Sequence, residues 1–260
     1  MEPSSASLDG LSRRIAREGF VRIRRGCPAA LVERIAKAAH RRIDEVMAAL
    51  GERPIGIGSA AGYVELVQRS PGRWDIPVTP AQFGTDERSL PWWPLVARVL
   101  GADAEHSFSG VVFSEPGSPA QFWHIDSPHL DARHRPAHAL NVLLALHDIP
   151  LEMGPTELAR GSQLYTNHLA NPELAVEELV YQAEGTSPKA LMAGRTEREP
   201  EAWSEALPAG SYLVFDDRIL HRGLANRSGE PRYVAYFSYR TSGYSENTHF
   251  ESGRSLFDRS

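Results

Sequence analysis

The chain has 260 residues, of which 42% are hydrophobic and 23% charged, with a formal net charge of −5. This composition belongs to a globular protein with enough apolar material for a core, and it excludes collagen, coiled-coil and disordered classes. Because the chain has no excess of positive charge, no overall field attracts nucleic acid or an acidic membrane surface.

Cysteine content and hydropathy indicate the compartment. Cys27 is the single cysteine and has no partner for an intrachain disulfide, which favours a reducing environment. The polar N-terminal stretch lacks the apolar run of a secretory signal, and no segment approaches the ~20 apolar residues that cross a bilayer. We therefore expect a cytoplasmic protein without a membrane or nucleic-acid partner.

The first hundred residues predict a mainly helical part. Apolar residues at helical spacing predict helices over 8–18, 28–50 and 92–100. Between the first two, the alternating residues 20–24 predict a strand, and Gly51 ends the second helix. Region 52–91 contains scattered glycine and proline, so we expect irregular structure there with a short helix over 63–68.

After residue 100 the pattern changes to short β-prone runs separated by turns. They cover 104–114, 119–126, 137–148, 155–159, 211–216 and 232–242. Such a series predicts a β sandwich or barrel. Region 163–206 is polar and predicts irregular structure with short helices over 172–180 and 199–205. No linker or repeat divides the chain, which predicts a single domain with a mainly helical part over 1–100, a β core over 101–245 and a tail over 246–260.

A possible metal-binding pair lies in one of the β-prone runs, Gln121-Phe-Trp-His-Ile-Asp126. In a strand, His124 and Asp126 point to the same face while Ile125 points away. An imidazole and a carboxylate side by side offer two ligands to a divalent metal. The tripeptide also arises by chance, and a hydrogen-bonded or surface histidine is the ordinary alternative.

Two later residues complete a set with more specific chemistry. The apolar strand 213–215 leads to His221, and a turn-rich loop then leads to Arg232. Two histidines and a carboxylate form the facial triad of non-haem Fe(II) oxygenases. An arginine grips a carboxylate at two points, which lysine cannot duplicate. The set therefore predicts that 2-oxoglutarate chelates the iron, that Arg232 holds its far carboxylate, and that O2 takes the remaining position.

The order and spacing of these motifs resemble the phytanoyl-CoA dioxygenase family of Fe(II)/2-oxoglutarate oxygenases. The segments 139–146 and 154–163 are similar to the buried strand of that family and the turn that follows it. The resemblance implies a mainly β fold with flanking helices, in which N-terminal helices pack on a double-stranded β-helix (jelly roll, cupin-like) core.

The resemblance also implies residue roles. His124, Asp126 and His221 take the positions of the iron ligands, and Arg232 takes that of the arginine that binds 2-oxoglutarate. In addition, Gln121 and Thr156 match positions where polar side chains contact the cosubstrate in relatives.

The sequence departs from the family pattern at several positions. Ala159-Arg160 replaces the usual Ile-Pro, and Gln163 replaces a common histidine; we expect structural roles for both. Gly223 lacks the hydroxyl that some relatives carry there, which puts one cosubstrate hydrogen bond in doubt. Relatives that halogenate have a small residue in place of Asp126, so its carboxylate favours hydroxylation or another oxygen-driven outcome.

Other polar residues admit two interpretations. The histidine-rich stretch 127–138 predicts a solvated loop near the mouth of the site, with a second metal site as the alternative. For Arg240, the favoured interpretation is that the strand has ended and the side chain is solvated; the alternative is contact with a substrate anion. Arg69 and Arg73 are interpreted as surface charge beside a packed Trp74, with substrate contact as the alternative.

The expected function is hydroxylation of an unactivated carbon of a small molecule, with release of succinate and CO2. By analogy with compact relatives, natural-product biosynthesis is the specific expectation. The alternatives are hydroxylation of an acyl-CoA or other primary metabolite, a non-catalytic metal-binding barrel, and a triad enzyme that does not use 2-oxoglutarate. Arg232 argues against the last two, because neither needs a distant carboxylate clamp.

Overall fold

The structure is a computed structural model, and it describes residues 5–170, 201–244 and 252–258. The helices are α1 (Ser5–Glu18), α2 (Ala29–Leu50) and α3 (Trp93–Leu100), which confirms the three expected helices to within a few residues. Helix α2 buries Val32, Ile35 and other apolar residues along one face, as the helical spacing requires. No helix in the described ranges is long and apolar enough to span a membrane.

The strands form two antiparallel sheets. They are β1 (Phe20–Ile23), β2 (Val67–Ser70), β3 (Arg73–Pro77), β4 (Glu105–Ser114), β5 (Ala139–Ala145), β6 (Thr156–Arg160), β7 (Glu201–Trp203), β8 (Tyr212–Asp216), β9 (His221–Gly223) and β10 (Arg232–Arg240). The major sheet has the order β1-β8-β5-β10-β4-β3-β2, and the minor sheet has the order β7-β6-β9. This mainly β architecture, with helices on one side, is the expected double-stranded β-helix.

The two faces of the major sheet are buried in different ways. Its outer face packs against the helices in one apolar cluster, which includes Ile35 of α2 and Phe237 of β10. Its inner face contributes to a second cluster with residues of the minor sheet and its loops, among them Leu158, Phe215 and Val234. The interior of the barrel lies between the sheets, so side chains on the inner face line it.

Strand β10 shows how the alternation of side chains positions polar groups inside the barrel. Ala235, Phe237 and Tyr239 belong to the outer cluster, so the intervening residues point inward. Two of these inward residues are Arg232 and Ser238, which are 3% and 5% exposed. A continuous nine-residue strand therefore carries polar side chains to two depths of the interior.

The helix expected over 63–68 is wrong, and two strands within 67–77 interrupt the irregular structure expected over 52–91. Strands β2 and β3 lie there and extend the major sheet beyond β4. Gly72, at φ +66°, makes the turn between them, which a glycine adopts readily. Pairing with β4 buries Trp74 and Ile76, and this tertiary gain outweighs a weak local signal for strand.

Two further expectations are corrected near the minor sheet. Residues 119–126 do not form a strand of their own; an isolated bridge joins His124 to His221, and single backbone hydrogen bonds join Gln121 to Gly223 and Asp126 to Asp217. The helix expected over 199–205 is replaced by strand β7, which pairs with β6. The helix expected over 172–180 lies outside the described residues.

Candidate metal centre

The side chains of His124, Asp126 and His221 converge inside the barrel. Their ligand atoms lie within 4.8 Å of one another, and no other group of three such residues meets this condition in the described ranges. The Nε2 atom of His221 is 3.5 Å from Oδ2 of Asp126, and that of His124 is 4.0 Å from Oδ1. One ion placed between them can contact all three, which is the facial arrangement.

Backbone pairing brings the two histidines together. The amide of each donates to the carbonyl of the other, at 3.0 Å from His124 and 2.9 Å from His221. The amide of Asp126 donates to the carbonyl of Asp217 at 2.8 Å. These bonds place His124 and Asp126 beside His221, because they join the segment 124–126 to the residues that lead into β9.

Each histidine presents the same nitrogen to the centre. Nδ1 of His124 is 2.9 Å from the carbonyl oxygen of Phe122, and Nδ1 of His221 is 3.1 Å from that of Ile219. A carbonyl only accepts, so the proton of each neutral ring is on Nδ1. Both Nε2 lone pairs are then available to a metal.

A hydrogen-bonded pair orients the carboxylate. Asn141 Nδ2 donates to Oδ2 of Asp126 at 2.6 Å, and Ser238 Oγ donates to Oδ1 of Asn141. Because Ser238 occupies the amide oxygen, the NH2 group of Asn141 is turned toward Asp126. Such partners of metal-ligating groups set their orientation and tune metal affinity.

Burial favours the neutral form of His124, which is the form that a metal requires. Removal from water lowers the pKa of His124, and a positive charge on the neighbouring His221 would lower it further. The two rings are 4.3 Å apart between centroids. Near neutral pH the His124 ring is therefore unprotonated on Nε2 without a proton having to be displaced.

Arg232 provides a buried cation with unused donors. Its Nη2 donates to Ser114 Oγ at 2.9 Å, while Nε and Nη1 have no partner among the described residues. Desolvation lowers its pKa to about 10, so the guanidinium stays charged near neutral pH. A buried cation with free donors favours an anionic ligand, and a carboxylate fits this position.

Gln121 and Thr156 are both partners of Gly223. Gln121 Oε1 accepts from the amide of Gly223 at 3.0 Å and from Arg73 Nη1 at 2.7 Å. Thr156 is the first residue of β6 and pairs with Gly223 of β9. Both expected cosubstrate residues therefore flank the strand that carries His221.

The sequence profile of the phytanoyl-CoA dioxygenase family matches residues 15–234. This range contains the minor sheet, the major sheet apart from the last six residues of β10, and the residues His124, Asp126, His221 and Arg232. The chain belongs to the phytanoyl-CoA dioxygenase family. Membership gives the protein the cofactors of that family, Fe(II) and 2-oxoglutarate, and an oxygenase type of chemistry.

Solved structures show the same fold. The epimerase SnoN, in complex with Fe3+, alpha ketoglutarate and nogalamycin RO, is 22% identical over 92% of this chain and 85% of its own, with a TM-score of 0.62. The carbocyclase SnoK from nogalamycin biosynthesis is 19% identical over 93% and 87%, with a TM-score of 0.58. HygX from Streptomyces hygroscopicus, with nickel, 2-oxoglutarate and hygromycin B bound, is 16% identical over 95% and 94%, with a TM-score of 0.59.

The convergent residues fit the family's cofactors on the structure's own terms. Two neutral imidazoles and a carboxylate suit a divalent first-row metal, and the unused donors of Arg232 suit a carboxylate. The departures at Arg160 and Gln163 have structural partners in α1. Arg160 Nη1 pairs with Glu18, and Gln163 Nε2 donates to the carbonyl of Ala16 at 3.3 Å.

The interpretation of Arg73 and Arg69 as surface charge is wrong. Arg73 is 1% exposed and points into the barrel beside Ser114. Arg69 is half-buried and pairs with Asp75, with Nη2 and Oδ2 2.7 Å apart. The sequence did not reveal this, because it did not show that β3 belongs to the major sheet. Trp74 is packed, as expected.

The remaining interpretations are partly corrected. Residues 132–136 of the histidine-rich stretch are exposed, but Ser127, His129 and His138 at its two ends are buried, so the loop is anchored rather than solvated throughout. Strand β10 extends through Arg240, whose Nη2 lies 3.3 Å from Oε2 of Glu105. The expectation that the strand has ended there is therefore wrong.

Sequence reasoning missed three residues that position the centre, besides Arg73. Asn141 gives a readable signal, because it is the one polar residue in the apolar run Ala139–Ala145. Buried polar groups in such a run need partners. Ser238 and Ser114 give no comparable signal, since small hydroxyl residues occur in strands for many reasons.

Proposed function

We propose that the protein is an Fe(II)- and 2-oxoglutarate-dependent dioxygenase that hydroxylates an unactivated carbon of a small molecule in natural-product biosynthesis. The supporting observation is the combination, in one barrel interior, of three convergent ligands with the buried Arg232. Two of its nitrogens lack partners in the described part of the chain. A structural metal would not need this second, anion-binding group.

In this proposal His124, Asp126 and His221 hold the iron. Both histidines bind through Nε2, since their Nδ1 atoms donate to backbone carbonyls. Asn141 keeps Oδ2 of Asp126 hydrogen-bonded, which leaves Oδ1 for the metal. When bound, Fe(II) and 2-oxoglutarate supply oxidative decarboxylation of the keto acid by O2, giving succinate, CO2 and an oxidant strong enough to attack an unactivated C–H bond.

The chain's other residues bind and orient the cosubstrate. Arg232 and Ser114 bind the far carboxylate, so they select a keto acid with a second acidic group. Gln121 offers its NH2 group beside the centre, and Thr156 lies across from Gly223. The side chains of His124 and Asp126 are 24% and 35% exposed, so the substrate approaches the ligands from this open side.

The carboxylate of Asp126 supports hydroxylation over halogenation, because it fills the position that chloride needs in halogenating relatives. Proteins with the same fold support a natural-product substrate: SnoN was solved with nogalamycin RO and HygX with hygromycin B. In these two proteins the fold accommodates a natural product, and we extend that substrate class to this chain.

The proposal is tested by anaerobic reconstitution with Fe(II) followed by addition of 2-oxoglutarate. We expect a weak visible metal-to-ligand charge-transfer band, and succinate after admission of O2. His124→Ala should abolish both. Arg232→Met should weaken 2-oxoglutarate binding by about 100-fold, the value of a charged two-point hydrogen bond, with a smaller effect on kcat.

The matched control is Arg222→Met. Arg222 lies between His221 and Gly223 but pairs with Glu157 at 2.8 Å and packs on Trp123. Substrate-stimulated succinate release across a panel of natural products would then identify the substrate class. A folded wild-type protein that binds Fe(II) but shows no band with 2-oxoglutarate would contradict the proposal.

A further inference from the structure

Arg73 is a buried arginine that lacks an acidic partner in the described part of the chain. It is 1% exposed, and it lies opposite Ser114, which in turn lies opposite Arg232 across β3, β4 and β10. Residues paired across neighbouring strands point to the same face. Two guanidinium groups therefore flank Ser114 on the inner face of the barrel.

Arg73 uses its nitrogens to join the two segments that carry the histidines. Nη1 donates to Gln121 Oε1 at 2.7 Å, and Nη2 donates to the carbonyl oxygens of Leu224 at 3.0 Å and Pro119 at 3.1 Å. Residues 119–121 precede His124, and residue 224 follows β9. All three acceptors are uncharged, so these bonds fix position without neutralising the cation.

The bond from Arg73 determines which end of the Gln121 amide is free to donate. Oε1 accepts from both Arg73 Nη1 and the amide of Gly223, at 2.7 and 3.0 Å. Two donors occupy the oxygen, so the NH2 end is left to donate elsewhere. A flip of the amide would set NH2 against two donors and is therefore disfavoured.

The absence of a side chain at position 223 makes room for this arrangement. A Cβ on Gly223 would lie 1.7 Å from Arg73 Nη1 and 2.9 Å from Gln121 Oε1. Neither distance is possible for real atoms, and Arg73 is held by three hydrogen bonds. The Arg73 guanidinium therefore leaves no room for the hydroxyl-bearing side chain that some relatives carry at this position.

We propose that Arg73 is a positioning residue for 2-oxoglutarate, which acts through Gln121 and depends on glycine at position 223. It holds the Gln121 amide with its NH2 group toward the keto acid, in place of the hydroxyl that Gly223 lacks. This inference rests on the proposed function, because it assigns Gln121 a contact with the cosubstrate.

The test measures binding without turnover. Protein loaded with Co(II) is titrated anaerobically with 2-oxoglutarate in a calorimeter, and Co(II) affinity is measured separately by chelator competition. The variants are Arg73→Met, Arg73→Lys, Gly223→Ser and the double variant Arg73→Met/Gly223→Ser. Arg222→Met on the same strand is the control for loss of a packed arginine whose partner, Glu157, lies away from the centre.

Arg73→Met should weaken 2-oxoglutarate binding by about 10- to 30-fold, the value of a lost charged hydrogen bond with its orienting effect, with Co(II) affinity changed by less than about twofold. The 2-oxoglutarate affinity of Arg73→Lys should lie between those of the wild type and Arg73→Met, because lysine can reach one acceptor but not span three. Gly223→Ser should weaken binding by about 10-fold in the wild-type background. In the Arg73→Met background it should cost less than about threefold, because the clash is gone; this non-additivity is the signature of a coupled pair.

Three outcomes would overturn the inference: unchanged 2-oxoglutarate affinity in Arg73→Met, an equal loss of Co(II) and 2-oxoglutarate affinity, or additive effects of the two substitutions. The second outcome would make Arg73 a scaffold for the histidine segments. If Arg73→Met is recovered unfolded, Arg73→Lys and Gly223→Ser replace it, and their separate and combined effects decide by the same criteria. A wild-type protein that binds Co(II) but not 2-oxoglutarate would instead remove the proposed function, and this inference with it.

Discussion

Single polar residues inside the barrel act by orienting one another. Ser238 fixes the amide of Asn141, and Asn141 fixes the carboxylate of Asp126. Asn141 and Ser238 are too buried for water to compensate a lost partner, since they are 7% and 5% exposed. A change at Asn141 should therefore be felt at the metal even though the side chain is not a ligand.

We expect Asn141→Leu to weaken divalent-metal binding by about 10- to 100-fold, the usual effect of removing a partner of a ligating group. Leucine has a similar volume, so the barrel should remain folded. Metal affinity is measured by chelator competition, and circular dichroism checks the fold. Ser238→Ala, which acts only through Asn141, should have a smaller effect; metal binding at the wild-type level in Asn141→Leu would show that the hydrogen bond to Asp126 is dispensable.

Arg73 and Arg232 are buried arginines whose like charges lie close enough to affect each other. Desolvation lowers the pKa of Arg73, and the nearby charge of Arg232 lowers it further. In the absence of an anion, the interior thus holds two cations that repel each other. A dianionic ligand would offset this repulsion better than a neutral one, which supports the proposal that a keto acid with a second carboxylate binds at Arg232.

At the scale of elements, a tight turn keeps β6 against the loop that follows β9. Gly154 has φ +72° and precedes Thr156, the first residue of β6. A Cβ there would lie 2.3 Å from the carbonyl oxygen of Ala225 and 2.5 Å from that of Leu224. The close approach of two backbones therefore requires glycine at this position.

We expect Gly154→Ala to lower the free energy of unfolding by about 3–5 kcal/mol, because left-handed strain adds to a backbone clash. The matched control is Gly117→Ala: Gly117 has φ +81° but nothing within 4 Å of the added Cβ. That variant should lose only about 1 kcal/mol. Urea denaturation measures both, and equal losses would mean that the clash relaxes without cost.

Strand β3 shows why one element escaped prediction. Its five residues, Arg-Trp-Asp-Ile-Pro, end in proline and follow a glycine turn, which locally indicates a loop. Pairing with β2 on one side and β4 on the other makes a strand of them, and the pairing with β4 sends Arg73 inward. Strands β5, β8 and β10 were predictable because their apolar runs are longer and their burial shows directly in the sequence.

At the scale of the whole molecule, a network of buried polar groups ties the 127–138 stretch to the β8–β9 connection. His129 Nε2 lies 3.1 Å from Thr166 Oγ1, which itself donates to the carbonyl of Arg218 at 2.8 Å. The hydroxyl proton is thus used, and Nε2 of His129 must carry the ring proton. Nδ1 has no partner in the described part of the chain, so a second proton there would be unsatisfied.

This network predicts acid sensitivity. Desolvation, with the Arg218 charge nearby, lowers the pKa of His129 to about 4, below the unfolded value of about 6.5. Between these two pH values the unfolded chain binds a proton at His129 and the folded chain does not. The free energy of unfolding is therefore highest above about pH 6.5 and decreases as the pH falls toward 4. The loss is at most about 3 kcal/mol.

The measurement is the free energy of unfolding in urea at several pH values from 7 to 4. His129→Gln keeps a donor for Thr166 but cannot titrate, so its stability should fall less steeply with acid than that of the wild type. Parallel pH profiles for the two proteins would show that another group controls the acid response.

The sequence by itself determined the class of fold and the four residues that indicate iron and 2-oxoglutarate, because periodicity and motif spacing are properties of the linear chain. His124, Asp126, His221 and Arg232 were recognisable without coordinates, and the structure brings the first three together. Only the tertiary structure decided the surroundings of these residues: which strands close the sheet, where Arg73 points, and why position 223 must be glycine. These features depend on groups more than a hundred residues apart in the chain, such as Arg73 and Gly223, whose mutual exclusion no local pattern records.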